Sequence, residues 1–338
     1  MPRIRVAVIM GGRSSEHEIS IASARSVVES LDPARYEVRE IEIARDGRWE
    51  LPRARQGELG GGESPLPVPL NGQPEPLGDI DVVFPVLHGP FGEDGTVQGF
   101  LELAGVAYVG PGVTASSLCM DKDLFKAVMR DKGVPVVDSV TLLERNRDHA
   151  ESPFGFPVVV KPARLGSSVG ISIAKTPEEF SRAVDLAFEH DEKILLEEFV
   201  SGVEVECSVL GNEKPVASIP GEIVPLVSEW YDYRAKYEEG GMDLIIPPRL
   251  DERTIARVQE LAVAAFVASD CEGMARVDFF VREDGEVLVN ELNTIPGFTS
   301  TSVYAKLFEA SGISYRELLD RLVDLALERR ERRSSLKF

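Results

Sequence analysis

Hydrophobic positions along the chain switch between strand and helix periods. Val6 to Met10 is a short apolar run that enters Gly11-Gly12, then RSSEHEIS and a helix with apolar residues at Ile19, Ala22, Val27 and Leu31. Ser15 with Glu18 three residues on predicts a capping box. Tyr36 to Ile43 alternates as a second strand. Ile80 to Leu87 is another buried strand, ending in His88-Gly89 and followed by PFGEDGT and a helix over Thr96 to Ala104. Beyond Gly110-Pro-Gly112 come a helix over Asp121 to Lys132, strands over Phe156 to Pro162 and Ile171 to Ala174, a helix over Pro177 to His190, and a strand over Lys193 to Val200. Val203 to Leu210 and Pro215 to Ile219 are further strands of an antiparallel sheet. Glu252 to Ala268 and Tyr315 to Glu328 are helices, and the closing ERRERR is predicted as a solvated charged tail.

Two more alternating runs, Arg276 to Val281 and Val287 to Leu292, flank Asp284-Gly285, and Asp-Gly between such runs predicts a hairpin. A loop of even length centred there sets Asp278 opposite Glu291 and Arg276 opposite Asn293, all four on one face. Val277, Phe279, Val281, Leu288 and Leu292 fall on the other face, as core. Two carboxylates directly across a ladder repel each other unless a cation or a proton relieves them. Asp, Glu and Asn oxygens together suit a hard cation such as Mg²⁺; an odd loop or a bulge would break the register.

The composition narrows the function. A formal charge of −20 on 338 residues argues against a nucleic-acid partner, so an anionic ligand must be held by a few local cations. Cys119, Cys207 and Cys271 lack CxxC spacing, which indicates neither zinc nor a disulfide framework. No apolar run is long enough to span a bilayer, and Val6 to Met10 is too short for a signal-peptide core. These features predict a cytoplasmic protein with neither nucleic-acid nor membrane partners.

Glycine-rich loops mark where ligands would sit. Strand, Gly11-Gly12 and helix N-terminus form a ligand-binding corner of an open α/β sheet, although GGRSSE lacks the dinucleotide spacing. Glu16 there reads, from the residues alone, as a complement to the helix dipole. His88 stands where a strand meets a glycine-rich loop, at the carboxyl edge that binds ligands. Ala163 to Gly170, ARLGSSVG, lies between two strands as a flap whose backbone can approach phosphate, and no GxxxxGK[ST] occurs. Residues 223–246 are aromatic and charged without a clean period, as expected of a lid loop. Residues 56–79, rich in Gly and Pro, read as a surface loop of no assignable chemistry.

In order along the chain, GGRSSEHEIS, VLHGPFGEDG, VKPARLGSSVG, EEFVSGVEVE, YDYRAKY, ARVDFF and NELNTIPGFTSTS resemble the motifs of the D-alanine–D-alanine ligases of the ATP-grasp superfamily. The resemblance runs nearly end to end, the 56–79 loop excepted. It implies an N-terminal open α/β, Rossmann-like domain (1–115) followed by a two-domain ATP-grasp fold (116–200 and 201–338). It implies ATP as co-substrate, two Mg²⁺ or Mn²⁺ ions, and a homodimer. Asp278, Glu291 and Asn293 would be the metal ligands. Lys122 and Lys161 would contact the ATP phosphates, with Lys126 a substitute for Lys122 one helical turn on, and Ser167 and Ser168 would belong to the flap. Glu197 would accept from the adenine amino group, Phe199 and Val200 would frame the base, Glu204 would hold the ribose, and Lys236 would reach a phosphate from the lid. Arg276 and the backbone of Gly297 would form an oxyanion site. Glu16 and His88 would bind the first D-alanine, and Ser302 with Val303 the carboxylate of the second. Tyr237, linked through Ser167 to Glu16, would favour D-alanine over D-lactate as the second substrate.

Two alternatives stay open at this point. A ligase for another amino acid would share the ATP and metal residues and differ at Glu16, His88, Tyr237 and Ser302. A non-catalytic ATP-binding module would have no need of Arg276 beside the metal face.

Overall fold

The computed structural model describes residues 2–50, 79–167, 169–226 and 241–337. Ser168, Lys236, Tyr237 and the 56–79 stretch up to residue 78 lie outside them. In chain order the elements are β1 (Ile4–Gly11), α1 (His17–Ser30), β2 (Tyr36–Ile43), β3 (Trp49–Glu50), β4 (Val82–Pro85), α2 (Thr96–Ala104), β5 (Ala107–Tyr108), α3 (Val113–Met120) and α4 (Lys122–Asp131). There follow β6 (Ser139–Leu143), β7 (Val158–Pro162), β8 (Ser172–Ala174), α5 (Pro177–Phe188), β9 (Lys193–Glu198), β10 (Val203–Gly211), β11 (Val216–Ala217), β12 (Gly221–Pro225) and β13 (Met242–Ile245). Last come α6 (Glu252–Ala268), β14 (Gly273–Val281), β15 (Val287–Asn293), α7 (Val303–Ala310) and α8 (Tyr315–Ser334).

Three sheets succeed one another. The first, in order β3-β2-β1-β4-β5, is parallel except for β3. The alternation of β1 divides its burial: Val6 and Val8 pack with α1 and α8, Ala7 and Ile9 with α2. Cover on both faces is why β1 reads as a continuous apolar run. The second sheet is antiparallel in order β6-β9-β7-β8, and the third runs β13-β12-β10-β14-β15 with β11 beside β10. Below the third sheet, α6 shares a core with α3 and α4, including Ala115, Phe125, Val258, Phe266, Val277 and Phe279.

Four local expectations are corrected. No capping box forms: Glu16 is the α1 N-cap with no side-chain cap bond, Ser15 is exposed, and Glu18 pairs with Arg45 at 2.9 Å. The inner face of α1 carries Ser20, Ser23, Ala24 and Val27, while Ala22 is exposed. These serines tolerate burial because their hydroxyls meet backbone groups: Ser20 accepts from Gly11 N at 2.8 Å and donates to Val86 O, and Ser23 accepts from Phe298 N at 3.3 Å. The flanks of the expected lid are the paired strands β12 and β13, with Glu222 opposite Ile245, so only residues between them can form a loop. ERRERR continues α8 to Ser334, and Arg329 is buried, donating to Tyr108 O at 2.7 Å and to Gly110 O while its guanidinium stacks 4.3 Å from the Tyr108 ring centroid.

The hairpin reaches the expected pairing by a different route. Residues 282–286 form an odd loop, and a bulge between Asp278 and Phe279 leaves Asn290 as the extra residue on β15. The two irregularities cancel at the site, so Asp278 faces Glu291 and Arg276 faces Asn293. They do not cancel nearer the turn. Past the bulge the pleat inverts, and Leu288 pairs with Phe280 and joins Val137 and Val200 on the site side, while Val287 and Val289 take the core.

Candidate active site

The register of β10, β14 and β15 builds two rows across one face. Glu206, Asp278 and Glu291 form the first; Ser208, Arg276 and Asn293 form the second. Three carboxylates in a row are tolerated because cations lie beside them. Arg276 Nε is 2.7 Å from Asp278 Oδ1 and 2.9 Å from Glu206 Oε2, and its second nitrogen donates to Asp278 Oδ2 at 2.7 Å. Lys122 Nζ is 3.2 Å from Glu291 Oε2. Asn293 Nδ2 donates to Asp278 Oδ2 at 2.9 Å, which fixes its amide beside the acids. Glu206, fully buried, is a member of this site that the sequence reading missed, although its alternation with Val205 and Cys207 was a usable signal.

Helix α4 delivers two lysines from successive turns of one face. Asp121 caps it, accepting from Leu124 N at 3.2 Å, and holds Lys193 Nζ at 2.6 Å. Lys122 also donates to Leu165 O at 2.7 Å, at the start of the flap. Lys126 goes elsewhere: its Nζ is 2.7 Å from Glu197 Oε1 and donates to Val137 O at 3.3 Å. Lys161, on β7, lies 2.7 Å from Glu197 Oε2 and donates to Asn290 Oδ1 at 3.1 Å. Burial alone would raise the Glu197 carboxyl, but Lys126 and Lys161 together outweigh it and lower it. Burial pushes the Lys126 amine down to about 8, despite Glu197. Val200 packs with Val137, Leu288 and Phe280 next to this pair, whereas Phe199 is exposed; Glu204 lies two residues before Glu206 on β10.

The N-terminal loops meet the flap at Glu16. Gly11 and Gly12 have φ of +87° and +96°, and a Cβ on Gly11 would stand 2.3 Å from Ile43 O. The chain there turns sharply enough for Ser14 to donate to His88 O at 2.7 Å and accept from Glu16 N at 3.2 Å. Glu16 is buried, and Ser167 Oγ donates to its Oε1 across 151 residues of sequence. Ser167 adopts φ +53°, a left-handed conformation that costs a non-glycine residue of order 1 kcal/mol.

His88 and Glu93 clasp one residue of the hairpin's extension. His88 Nδ1 donates to Ile295 O at 3.0 Å, which leaves Nε2 buried without a partner among the described residues. Glu93 accepts from Ile295 N at 3.1 Å and from Gly89 N at 2.7 Å. Burial lowers the His88 imidazole, keeping it neutral near pH 7. Burial, and after it the charge of Glu16, pushes the Glu93 carboxyl up to about 8, even though the residue as a whole keeps some exposed surface. Glu93 is a second site residue that sequence reasoning missed. It lies within PFGEDG, but its partner Ile295 is distant in sequence and nothing local points to it.

Ile295 leads to Gly297 and the N-terminus of α7. A Cβ on Gly297 would lie 3.2 Å from Ser302 Oγ, so glycine keeps this backbone open. Ser302 is the N-cap of α7 but makes no side-chain cap bond; its hydroxyl meets Thr299 N at 3.0 Å and Thr299 Oγ1 at 2.7 Å. The first amides of α7 therefore keep capacity for an anion. The Val303 side chain belongs to a small core with Ile223 and Leu307, so only its backbone can serve a ligand.

The donor set suits hard divalent cations, being two carboxylates and an amide on one face. Among the described residues no three His, Cys, Asp or Glu side chains converge as ligands.

Residues 5–111 match the D-ala D-ala ligase N-terminus and residues 128–324 the D-ala D-ala ligase C-terminus. The D-alanine–D-alanine ligase of Natranaerobius thermophilus is 46% identical, covering 98% of this chain and 97% of that protein. D-alanine–D-alanine ligase A of Escherichia coli K12 is 40% identical, covering 100% and 99%. The solved ligase of Coxiella burnetii superposes with a TM-score of 0.83 at 38% identity, covering 99% of this chain and 97% of that one. The VanG D-Ala:D-Ser ligase of Enterococcus faecalis gives 0.83 at 36%, covering 96% and 100%. With both family regions matched in order and relatives aligned along its whole length, the chain belongs to the D-alanine–D-alanine ligase family, with its ATP-grasp fold.

Proposed function

We propose that the protein joins two D-alanine molecules: ATP + 2 D-alanine → D-alanyl-D-alanine + ADP + phosphate, through a D-alanyl phosphate. The product would feed peptidoglycan precursor synthesis in the cytoplasm, and the enzyme would work as a homodimer of three-domain chains, 1–115, 116–200 and 201–338. The observation that carries this reading is the Ser167–Glu16 hydrogen bond, because it brings the flap against the N-terminal acid. An amino acid held at Glu16 would then lie beside a phosphate held under the flap.

Each residue has a chemical part. Glu16 takes the ammonium of the first D-alanine and His88 steadies it, leaving the substrate carboxylate free to attack the γ-phosphorus. That attack forms the acyl phosphate and releases ADP; phosphorylation turns a poor acyl donor into one with a leaving group. Lys122 and Lys161 meet the phosphates, and Ser168 and Lys236 would be further phosphate contacts. Glu197, Phe199, Val200 and Glu204 hold the nucleoside. Asp278, Glu291 and Asn293 would hold two Mg²⁺ or Mn²⁺ ions, whose charge when bound offsets that of the phosphates. The second D-alanine, its carboxylate at Ser302 and the backbone of Val303, attacks the acyl carbon with its neutral amine. The resulting oxyanion accepts from Arg276 and Gly297 N–H; the C–O bond to phosphate then breaks and the nitrogen loses its proton. Tyr237 would complete a link through Ser167 to Glu16. A neutral phenol there offers a lactate anion no advantage over an amine, so D-alanine is favoured over D-lactate.

The test is incubation with ATP, Mg²⁺ and D-alanine, following ADP release and the product mass. ADP formation with a mass equal to the dipeptide is expected, and no ADP above background overturns the reading. Parallel reactions containing D-serine or D-lactate test the second substrate, and a mainly depsipeptide product at neutral pH refutes the role given to Tyr237.

A further inference from the structure

Lys126 is the most deeply buried lysine near the site, fully buried where Lys122 and Lys161 keep 5% and 4% of their surface. Burying an ammonium this far is unfavourable unless a fixed anion meets it. That anion is Glu197, 2.7 Å away, and Lys126 also donates to Val137 O at 3.3 Å. Val137 in turn packs with Val200, Leu288 and Phe280. One side chain thus ties a buried carboxylate to an apolar cluster beside it.

The two lysines on Glu197 are not equivalent. Lys161 ends a strand just before the flap, and its second partner, Asn290, sits next to Glu291 on β15. Lys126 projects from the interior of α4 and has no exposed path. If Lys161 swings toward an arriving phosphate, Glu197 Oε2 loses its partner while Oε1 keeps Lys126. The carboxylate then stays ionised and in place with one oxygen available to accept.

We propose that Lys126 is the positioning residue for nucleobase selection: it holds Glu197 so that the oxygen vacated by Lys161 accepts from the exocyclic amino group of a 6-aminopurine. A 6-keto purine would present an oxygen to that carboxylate and be disfavoured by lone-pair repulsion. The inference rests on the ATP reading above and adds to it a residue that acts through Glu197 rather than on the nucleotide.

The test compares ATP with ITP, which differ at this position, as substrates of the full-length wild type, Lys126→Met and Lys126→Met/Glu197→Gln. Wild type is expected to prefer ATP at least tenfold in kcat/KM. Lys126→Met should raise the KM for ATP tenfold or more, with a smaller change in kcat, and shrink the ATP preference at least fivefold. The double variant, which removes the Lys126–Glu197 pair as a unit and leaves Lys161 on Asn290 Oδ1, covers the case where Lys126→Met fails to fold. It should be stable and accept ITP nearly as well as ATP, since a glutamine amide can turn either face to the base. An ATP preference within twofold of wild type in either folded variant overturns the inference and leaves the ATP reading intact. A wild type that uses neither nucleotide overturns both.

Discussion

Replacing Glu93 by Gln tests the clasp between the N-terminal loop and the hairpin's extension, because it keeps the shape and removes the titration. The Glu93 carboxyl is raised from 4.5 to about 8, chiefly by burial and then by Glu16. A carboxyl raised in the fold holds a proton that the unfolded chain has already released. Its contribution is fully present below the unfolded value and is lost as pH rises through the folded one, by about 1.4 kcal/mol per pH unit. His88 acts with the opposite sign: burial lowers it below 6.5, so its effect on stability appears as pH falls under that value. Between pH 6.5 and 8 the Glu93 slope therefore dominates, the unfolded His88 still binding part of a proton near 6.5 and offsetting it by about a few tenths of a kcal/mol in both proteins alike. Over those 1.5 units it amounts to at most about 2 kcal/mol, the accepted bonds from Gly89 N and Ile295 N pulling the other way. A chain of this size moves about 2 °C in Tm per kcal/mol, so the wild type should lose up to about 4 °C more than the variant across this interval. In Glu93→Gln the new side chain turns an amide donor toward one backbone N–H, which costs about 1–3 kcal/mol at pH 6.5. Thermal unfolding of both proteins at matched ionic strength should give curves that start apart and converge toward pH 8. Parallel curves would refute the raised carboxyl and with it the idea that Glu93 is held as a neutral acid.

Glu291→Gln should abolish ADP release in the presence of D-alanine while preserving the fold, since the isosteric amide keeps an oxygen beside Lys122; turnover near wild type would displace the metals from this face. Lys122→Met should lower kcat/KM for ATP about 10²- to 10³-fold, the range for losing one preorganised charged donor, and a change under threefold would remove it from the phosphate site. Ser20→Ala strips partners from Gly11 N–H and Val86 C=O and should cost about 2–4 kcal/mol in urea unfolding; a loss under about 0.5 kcal/mol would show that those groups find substitutes. Arg329→Met should cost about 3 kcal/mol, because two buried carbonyls lose charged donors, and a neutral effect would return ERRERR to the solvated tail it resembles in sequence.

How far the fold was legible follows from the range of the forces involved. Strand β1 and helix α6 were readable because burial on a fixed face imposes a period on the sequence itself. The inner face of α1 was not, since Ser20 and Ser23 are buried by hydrogen bonds to Gly11, Val86 and Phe298, whose positions only the folded chain sets. Arg329 misled for the same reason: a run of arginines looks solvated until Tyr108 and Gly110 offer carbonyls. Helix α7 left little local trace, its start at Ser302 lacking a side-chain cap.

The site itself shows why a correct pairing can come from an incomplete premise. The pairing is the one an even loop predicts; the chain has an odd loop, and Asn290 supplies the missing residue as a bulge. The bulge has a chemical consequence, because the extra residue presents its amide to Lys161 at 3.1 Å. The repulsion between Asp278 and Glu291 was legible and so was the need for a cation, but not that the protein supplies Arg276 and Lys122 for the purpose, nor that Glu206 adds a third acid to the row. These built-in cations are the ones proposed to meet an oxyanion and a phosphate. The acid row therefore keeps them oriented and partly desolvated before substrate arrives, and a ligand that neutralises the row would release them to charges that form only during reaction. Deleting Asn290 should regularise the ladder, leave Asp278 opposite Glu291 and preserve the fold, yet raise the KM for ATP by loosening Lys161. Unfolding on deletion would mean the bulge is needed for the sheet, and an unchanged KM would mean it is a register device alone.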